Sequence, residues 1–242
     1  DIGAYGDSPT TGFSGFNIAD GKVVIGATGQ TNLFNGLLVV GLNTTTNTDA
    51  ETAGTLEVVG GVTTVSDTLI IGRSNGTTNT APVARTSKLL VSGGDLSVGT
   101  LVLGRVLVAT AHNSAPEAEI TGGSLSATNS VIVGEQSGSV ATLKLNGGTF
   151  LAPNITRLSG LGNVQFNGGV FRPTAEGQTL QGLTSAQVGA GGAWFDLSSA
   201  TNFTLAQALT TAGADGGLTK TGAGKLTVSG KQLYAGPTTV SE

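Results

Sequence analysis

The 242-residue chain has no cysteine and no methionine, one histidine, one tryptophan, and only 11% charged residues. Each scarcity closes a class of function. Without cysteine there is no disulfide framework, no thiolate metal site and no cysteine nucleophile. A single histidine cannot build a multi-histidine metal centre. No apolar run approaches 18 residues, so no segment reads as a membrane-spanning helix. Eleven Lys and Arg against fifteen Asp and Glu, scattered along the chain, leave no basic stripe for nucleic acid. The missing methionine predicts a processed product, a fragment or part of something longer. The opening Asp1-Ile2-Gly3-Ala4-Tyr5 has no basic n-region or apolar h-region, so any signal peptide is expected to be gone already.

What the chain has in abundance is glycine, 40 residues, more than twice the usual share of about 7%. Glycine does not recur at every third position, which excludes collagen. Frequent Val, Leu and Ile with low charge argue against disorder, and the many threonines favour strands over helices. A single all-β domain of this length is ordinary.

Five Gly-Gly pairs share one setting: Gly60-Gly61, Gly93-Gly94, Gly122-Gly123, Gly147-Gly148 and Gly168-Gly169. Each follows a short alternating stretch, namely Leu56-Glu57-Val58, Leu89-Leu90-Val91, Ala118-Glu119-Ile120, Leu143-Lys144-Leu145 and Val164-Gln165-Phe166. Two residues after each pair stands another mostly apolar position: Thr63, Leu96, Leu125, Phe150 and Phe171. The period is two, a strand signature. A third short strand ends in glycine in the better copies, at Gly72, Gly104 and Gly134, with an earlier relative ending at Gly41; these lie 31, 32 and 30 residues apart. The Gly-Gly spacings fall instead, through 33, 29, 25 and 21 residues. The repeat core therefore stays constant while one connection shortens. That connection runs from Arg73 to Thr86, from Arg105 to Pro116 and from Glu135 to Val140, with Leu42 to Gly54 at the matching earlier place.

A unit of this size cannot bury its own apolar face, whereas stacked copies share a continuous core. The pattern predicts an all-β chain folded as a right-handed, single-stranded parallel β-helix of roughly eight to ten coils, a rod ~40–50 Å long. The hand follows from the crossover rule for parallel strands. Gly-Gly would mark corners where a side chain is excluded, and the inserts would lie on one flank. Barrels and sandwiches show similar alternation but do not predict a repeat with its strand order intact. The expected organisation is an N-terminal cap or first coils over 1–35, with Tyr5, Phe13 and Phe16 as cap residues. Coils with Gly-Gly corners and lateral loops follow over 36–175, and further coils over 176–242.

The stretch Gly217-Leu218-Thr219-Lys220-Thr221-Gly222-Ala223-Gly224-Lys225-Leu226-Thr227-Val228-Ser229-Gly230, with Tyr234, Gly236 and Thr238-Thr239-Val240, resembles the autotransporter-associated β-strand repeat. Gln232, Leu233 and Pro237 depart from that pattern. The preceding Gln165-Phe166-Asn167-Gly168-Gly169, Leu180-Gln181-Gly182-Leu183 and Gly191-Gly192-Ala193-Trp194-Phe195-Asp196 are similar to segments found upstream of such repeats. The resemblance implies a right-handed parallel β-helix that is secreted or held at the outer surface of a bacterium. It carries no catalytic motif, so it transfers no functional residue.

Candidate chemistry is sparse. Glu57 and Glu119 fall at equivalent positions two coils apart, ~9.6 Å between backbones, near the upper end of the ~6.5–9.5 Å of inverting glycosidases. Leu90 intervenes and Lys144 and Gln165 follow, so the column reads as a solvated outer face. Asp67, Asp95, Asp196 and Asp215 fall at non-equivalent positions and form no calcium ladder. Asn146 and Asn167, with Ser92 and Thr121 before them, suit a hydrogen-bonded ladder along the stack. The Asn-x-Ser/Thr matches at Asn43, Asn75, Asn154 and Asn202 read as incidental in a bacterial chain. If Ala193 and Phe195 point inward, Trp194 points out. A candidate binding surface then comprises Trp194, Arg73, Asn75, Arg105 and His112. The reading is a structural or adhesive surface solenoid, not an enzyme, with no cofactor, no metal and no catalytic residue. Its partners would be copies of itself stacked head to tail, or further coils of a longer chain. Two rivals are a module that binds a surface glycan and a polysaccharide-degrading β-helix.

Overall fold

The computed structural model describes residues 2–5, 15–18, 21–43, 53–74, 86–106, 115–198 and 201–241. Every regular element among them is a strand, and none is a helix. The alternation seen in the sequence becomes alternate burial. In Val140–Leu145, for example, Ala141, Leu143 and Leu145 are buried while Val140, Thr142 and Lys144 face outward. Neighbouring copies do the same, so their apolar rows line up. The result is one large sheet of mostly parallel strands, curled on itself, an arrangement consistent with a solenoid.

Three ladders run along it. The first stacks Gly21–Ile25, 54–58, 88–91, Glu117–Ile120, Val140–Leu145, Leu161–Phe166, Ser185–Val188 and Thr210–Thr211 in parallel. The second stacks Thr31–Phe34, 62–65, 95–98, 124–127, Thr149–Ala152, Val170–Pro173, Ala193–Asp196, Leu218–Thr221 and Thr238–Val240. The third runs from Gly15–Ile18 through Leu37–Asn43, 68–74, 100–106 and 130–133. It then thins to one bridge, Ile132 to Thr156. Further on, Gln178–Leu180, Phe203–Leu205 and Leu226–Val228 make a separate parallel sheet. The register matches equivalent residues of successive repeats: Leu56, Leu89, Ala118, Leu143 and Val164 are consecutive partners. One pairing departs from parallel stacking. Ile2–Tyr5 runs antiparallel beside Gly15–Ile18.

The main core runs without a break from Ile18 to Leu218. Part of it is an aromatic cluster. Phe171 has ring centroids 5.9 Å from Phe150, 5.7 Å from Phe195 and 5.6 Å from Phe203. On the opposite side of the third ladder Val39, Ile70 and Val102 form a second, smaller buried cluster.

The Gly-Gly pairs stand between the first and second ladders, where consecutive turns of chain touch. A Cβ on Gly93 would lie 2.5 Å from the carbonyl oxygen of Val59. One on Gly94, at φ +68°, would lie 2.6 Å from both Gly60 Cα and the Gly61 carbonyl oxygen. The fifth pair differs: there Gly168, not Gly169, takes the positive φ. Gly191-Gly192 and Gly216-Gly217 extend the series in the same place, with Gly192 and Gly217 at positive φ. The points where the inserts leave are also stacked, since Leu42 pairs with Arg73 and Arg73 with Arg105. The bodies of the inserts at 44–52, 75–85 and 107–114 lie outside the described residues, and so does Phe13.

Candidate functional site

The outer face of the first ladder carries a connected set of charges: Lys22, Glu57, Lys88, Glu117, Glu119 and Lys144. Lys22 is paired with Glu57. Lys88 reaches both Glu117, at 3.0 Å, and Glu119, at 2.5 Å, while Lys144 pairs with Glu117 at 2.5 Å. The Lys88 bond holds the Glu119 carboxyl below the usual range, against the opposing effect of burial and helped by a 2.8 Å bond from Asn146. Burial is the largest influence on Glu117, but the bonds from Lys144 and Lys88 outweigh it and its pKa is also lowered. Burial likewise opposes the charge on Lys88, and the bonds from Glu119 and Glu117 overcome it, so its pKa is raised. A general acid at neutral pH needs the reverse, a carboxyl pushed up. Glu57 and Glu119 are thus each engaged by a lysine, with Leu90 between them in register.

From Glu119 the hydrogen bonds continue along the stack. Asn146 Nδ2 donates to Glu119, Asn167 Nδ2 donates to Asn146 Oδ1 at 3.4 Å, and Asn167 Oδ1 accepts from the Gly191 amide at 2.9 Å. Ser92 and Thr121, two steps and one step earlier, instead bond the carbonyls of Val58 and Val91. Beside Asn146 and Asn167 lies a shallow groove of about 360 Å³, lined also by Gln165, Gln187, Ala212 and Ala214. Gln165 and Gln187 are register partners. Gln187 has no Gly-Gly pair directly after it, and that is why the repeat pattern does not single it out.

Of the residues expected to form a binding surface, Trp194 lies on the second ladder and Arg73 and Arg105 on the third. Trp194 is 39% exposed between the buried Ala193 and Phe195, and its indole N–H donates to the Gly191 carbonyl at 3.0 Å. Arg105 makes two bonds to Glu135, at 2.7 and 2.8 Å, which raise its pKa against the effect of burial. Arg73 is its register neighbour, and burial, then the charge of Arg105, lowers the Arg73 pKa. Asn75 and His112 lie outside the described residues. Asp95 accepts from Ser124 at 2.5 Å, Asp67 from Thr68 at 3.1 Å and Asp196 from Arg172. No cluster of three metal-ligating side chains occurs among the described residues.

The C-terminal end is built differently. The second-ladder column Phe150, Phe171, Phe195, Lys220 is buried throughout, with the Lys220 ammonium donating to the Gly222 carbonyl. Its next member, Val240, is 67% exposed. Likewise Phe203 and Leu205 are buried, but their partners Leu226 and Val228 are not; Val228 is 44% exposed. These residues rim a hollow of about 370 Å³ with Leu218, Lys220 and Thr238.

The loop before Thr238–Val240 is held by Asp215, whose carboxylate accepts from the amides of Ala235 at 2.8 Å, Gly236 at 2.6 Å and Gly217 at 3.1 Å. The Ala235 amide foremost, then Gly236, lowers the Asp215 pKa. Its stabilising effect is therefore present above the unfolded value of about 3.9 and is lost as pH falls through the lower native value. At neutral pH, Asp215→Asn is expected to speed hydrogen exchange at Ala235 and Gly236 by about tenfold or more, while amides such as Leu143 keep their rates. Unchanged exchange at both positions would remove the clamp from the account. Comparison with family models, curated proteins and solved structures returns no match for this chain.

Proposed function

We propose that the chain is a structural or adhesive extracellular element: a right-handed, single-stranded parallel β-helix of about eight to ten coils, exposed on a bacterial surface, that extends by adding further coils end to end. The observation that carries this reading is the exposed apolar edge formed by the strands at 226–228 and 238–240. Val228 and Val240 occupy columns that are buried one step earlier. An open parallel edge beside uncovered apolar residues is a template for another strand. At the opposite end Val23 and Ile25 are also only partly buried against the core. In material made of this chain alone, the added coil comes from a second copy, and a head-to-tail contact that does not close gives an open filament. Secretion and surface display rest on the resemblance of 217–240 to the autotransporter-associated repeat. The carboxylates tied to lysines favour this reading over a polysaccharide-degrading enzyme.

The test is mass in solution and electron microscopy over a concentration series. Mass is expected to rise with concentration, with filaments showing an axial repeat of one rod length. Val228→Lys combined with Val240→Lys should abolish the rise without altering the circular dichroism spectrum. A single monomer mass at every concentration would overturn end-to-end assembly.

A further inference from the structure

The outer face of the first ladder spends almost all of its polar groups internally. Lys144 is on Glu117, Asn163 donates to the Ala141 carbonyl, Ser185 donates to Asn163, and Thr210 donates to the Ala186 carbonyl. Gln165 and Gln187 are the two carboxamides on this face, among the described residues, that are left out of such bonds. Both are half-buried on rigid neighbouring strands, and neither side chain makes a hydrogen bond among the described residues. A carboxamide offers two donors and an acceptor, and partial burial without a partner costs free energy. Two such groups stand ~4.8 Å apart in one groove, next to Asn146 and Asn167.

The rest of the lining decides what fits. Ala190, Ala212, Ala214 and Gly189 leave room above the strands. Among the described residues no charged side chain lines the groove, so an anionic or cationic ligand would lose hydration without gaining a counter-charge. A peptide strand is also a poor occupant, since strand addition needs unpaired backbone groups at an edge, and both glutamines lie on paired strands. At the same corner the exposed indole of Trp194 is fixed by its bond to Gly191, whose amide is bound to Asn167. Carboxamides that donate and accept, no charge, and an immobilised aromatic face together match vicinal hydroxyls and the apolar face of a sugar ring.

The geometry points to a binding site for a neutral oligosaccharide along this groove, with Gln165 and Gln187 holding hydroxyls of the chain and Trp194 flanking it. The site is independent of end-to-end assembly, because none of its residues belongs to the last strands at 226–240. The test is titration of the full chain with cellohexaose, maltohexaose and chitohexaose, and with a galacturonate hexamer as the charged control. Heat and the fluorescence of Trp194, the single tryptophan, report binding. At least one neutral hexamer should bind saturably and at least about tenfold more tightly than the galacturonate hexamer, a difference of about 1.4 kcal/mol. Gln165→Leu with Gln187→Leu should weaken it about tenfold or more, and Gln187→Ser alone should weaken it in the same direction with the fold intact. Absence of neutral binding at millimolar concentration, preference for galacturonate, or unchanged affinity in the glutamine variants would each overturn the site.

Discussion

Gly94→Ala is expected to lower the stability of the chain by about 3–5 kcal/mol, at the upper end of what one substitution does. Two costs combine. A residue with a Cβ at φ +68° pays roughly 1–2 kcal/mol for the left-handed conformation. The new methyl would also lie 2.6 Å from Gly60 Cα and from the Gly61 carbonyl oxygen, which are backbone atoms of the adjacent corner and cannot rotate away. Relief requires pulling two stacked turns apart, which strains the ladder bonds on either side. Gly177 separates the terms: at φ +69° a Cβ there meets nothing within 4 Å. Gly177→Ala should therefore cost only the conformational share, about 1–2 kcal/mol. Urea midpoints of the two variants and the parent measure the difference. Equal losses would mean that close stacking does not set the requirement for glycine at this corner.

Phe171→Ala should cost about 3–5 kcal/mol, the usual range for a buried aromatic truncated to alanine. Its ring is 0% exposed and contacts Phe150, Phe195 and Phe203, which come from the turns on both sides and from the separate sheet containing Phe203–Leu205. The cavity therefore opens where the second ladder faces the separate sheet, among rings held on three different strands. In a quasi-one-dimensional stack, stability is a sum of unit and interface terms, and this substitution damages two interfaces together. Loss of hydrogen-exchange protection should be greatest in 149–152 and 193–196. Val140→Ala, on the outer face at 44% exposure, should stay within about 0.5 kcal/mol. A Phe171 variant that unfolds at the parent's midpoint would contradict the assignment of this region as the packed centre.

Much of the architecture was legible in the residues. Period-two alternation told strand from helix, and aligning the copies already put Leu56, Leu89, Ala118, Leu143 and Val164 in one row; the structure makes them consecutive partners. The column of Glu57, Leu90, Glu119, Lys144 and Gln165 was readable in the same way. Its pairing was not. Lys144 stands beside Glu119 in register, yet its ammonium bonds Glu117. Long side chains reach diagonally across a sheet face, and spacing along the chain does not record that choice. The groove escaped notice for a related reason: Gln187 is followed by Gly189-Ala190-Gly191-Gly192, which stretches the corner and hides its equivalence to Gln165.

In a parallel stack the spatial neighbour of a residue is its counterpart one repeat away. A one-dimensional pattern of alternating apolar residues and recurrent glycines therefore determines strand, direction and register by itself. Tertiary structure alone decided where the third ladder breaks after Thr156, and that Val39, Ile70 and Val102 are buried on the face away from the main core. It also decided that, among the described residues, Gln165 and Gln187 have no side-chain hydrogen bond while Lys144, Asn163, Asn167, Ser185 and Thr210 do. These outcomes depend on how far the sheet curls and on which side chains lie within reach across it. Both are set by the summed dihedrals of many residues, and no local spacing carries them.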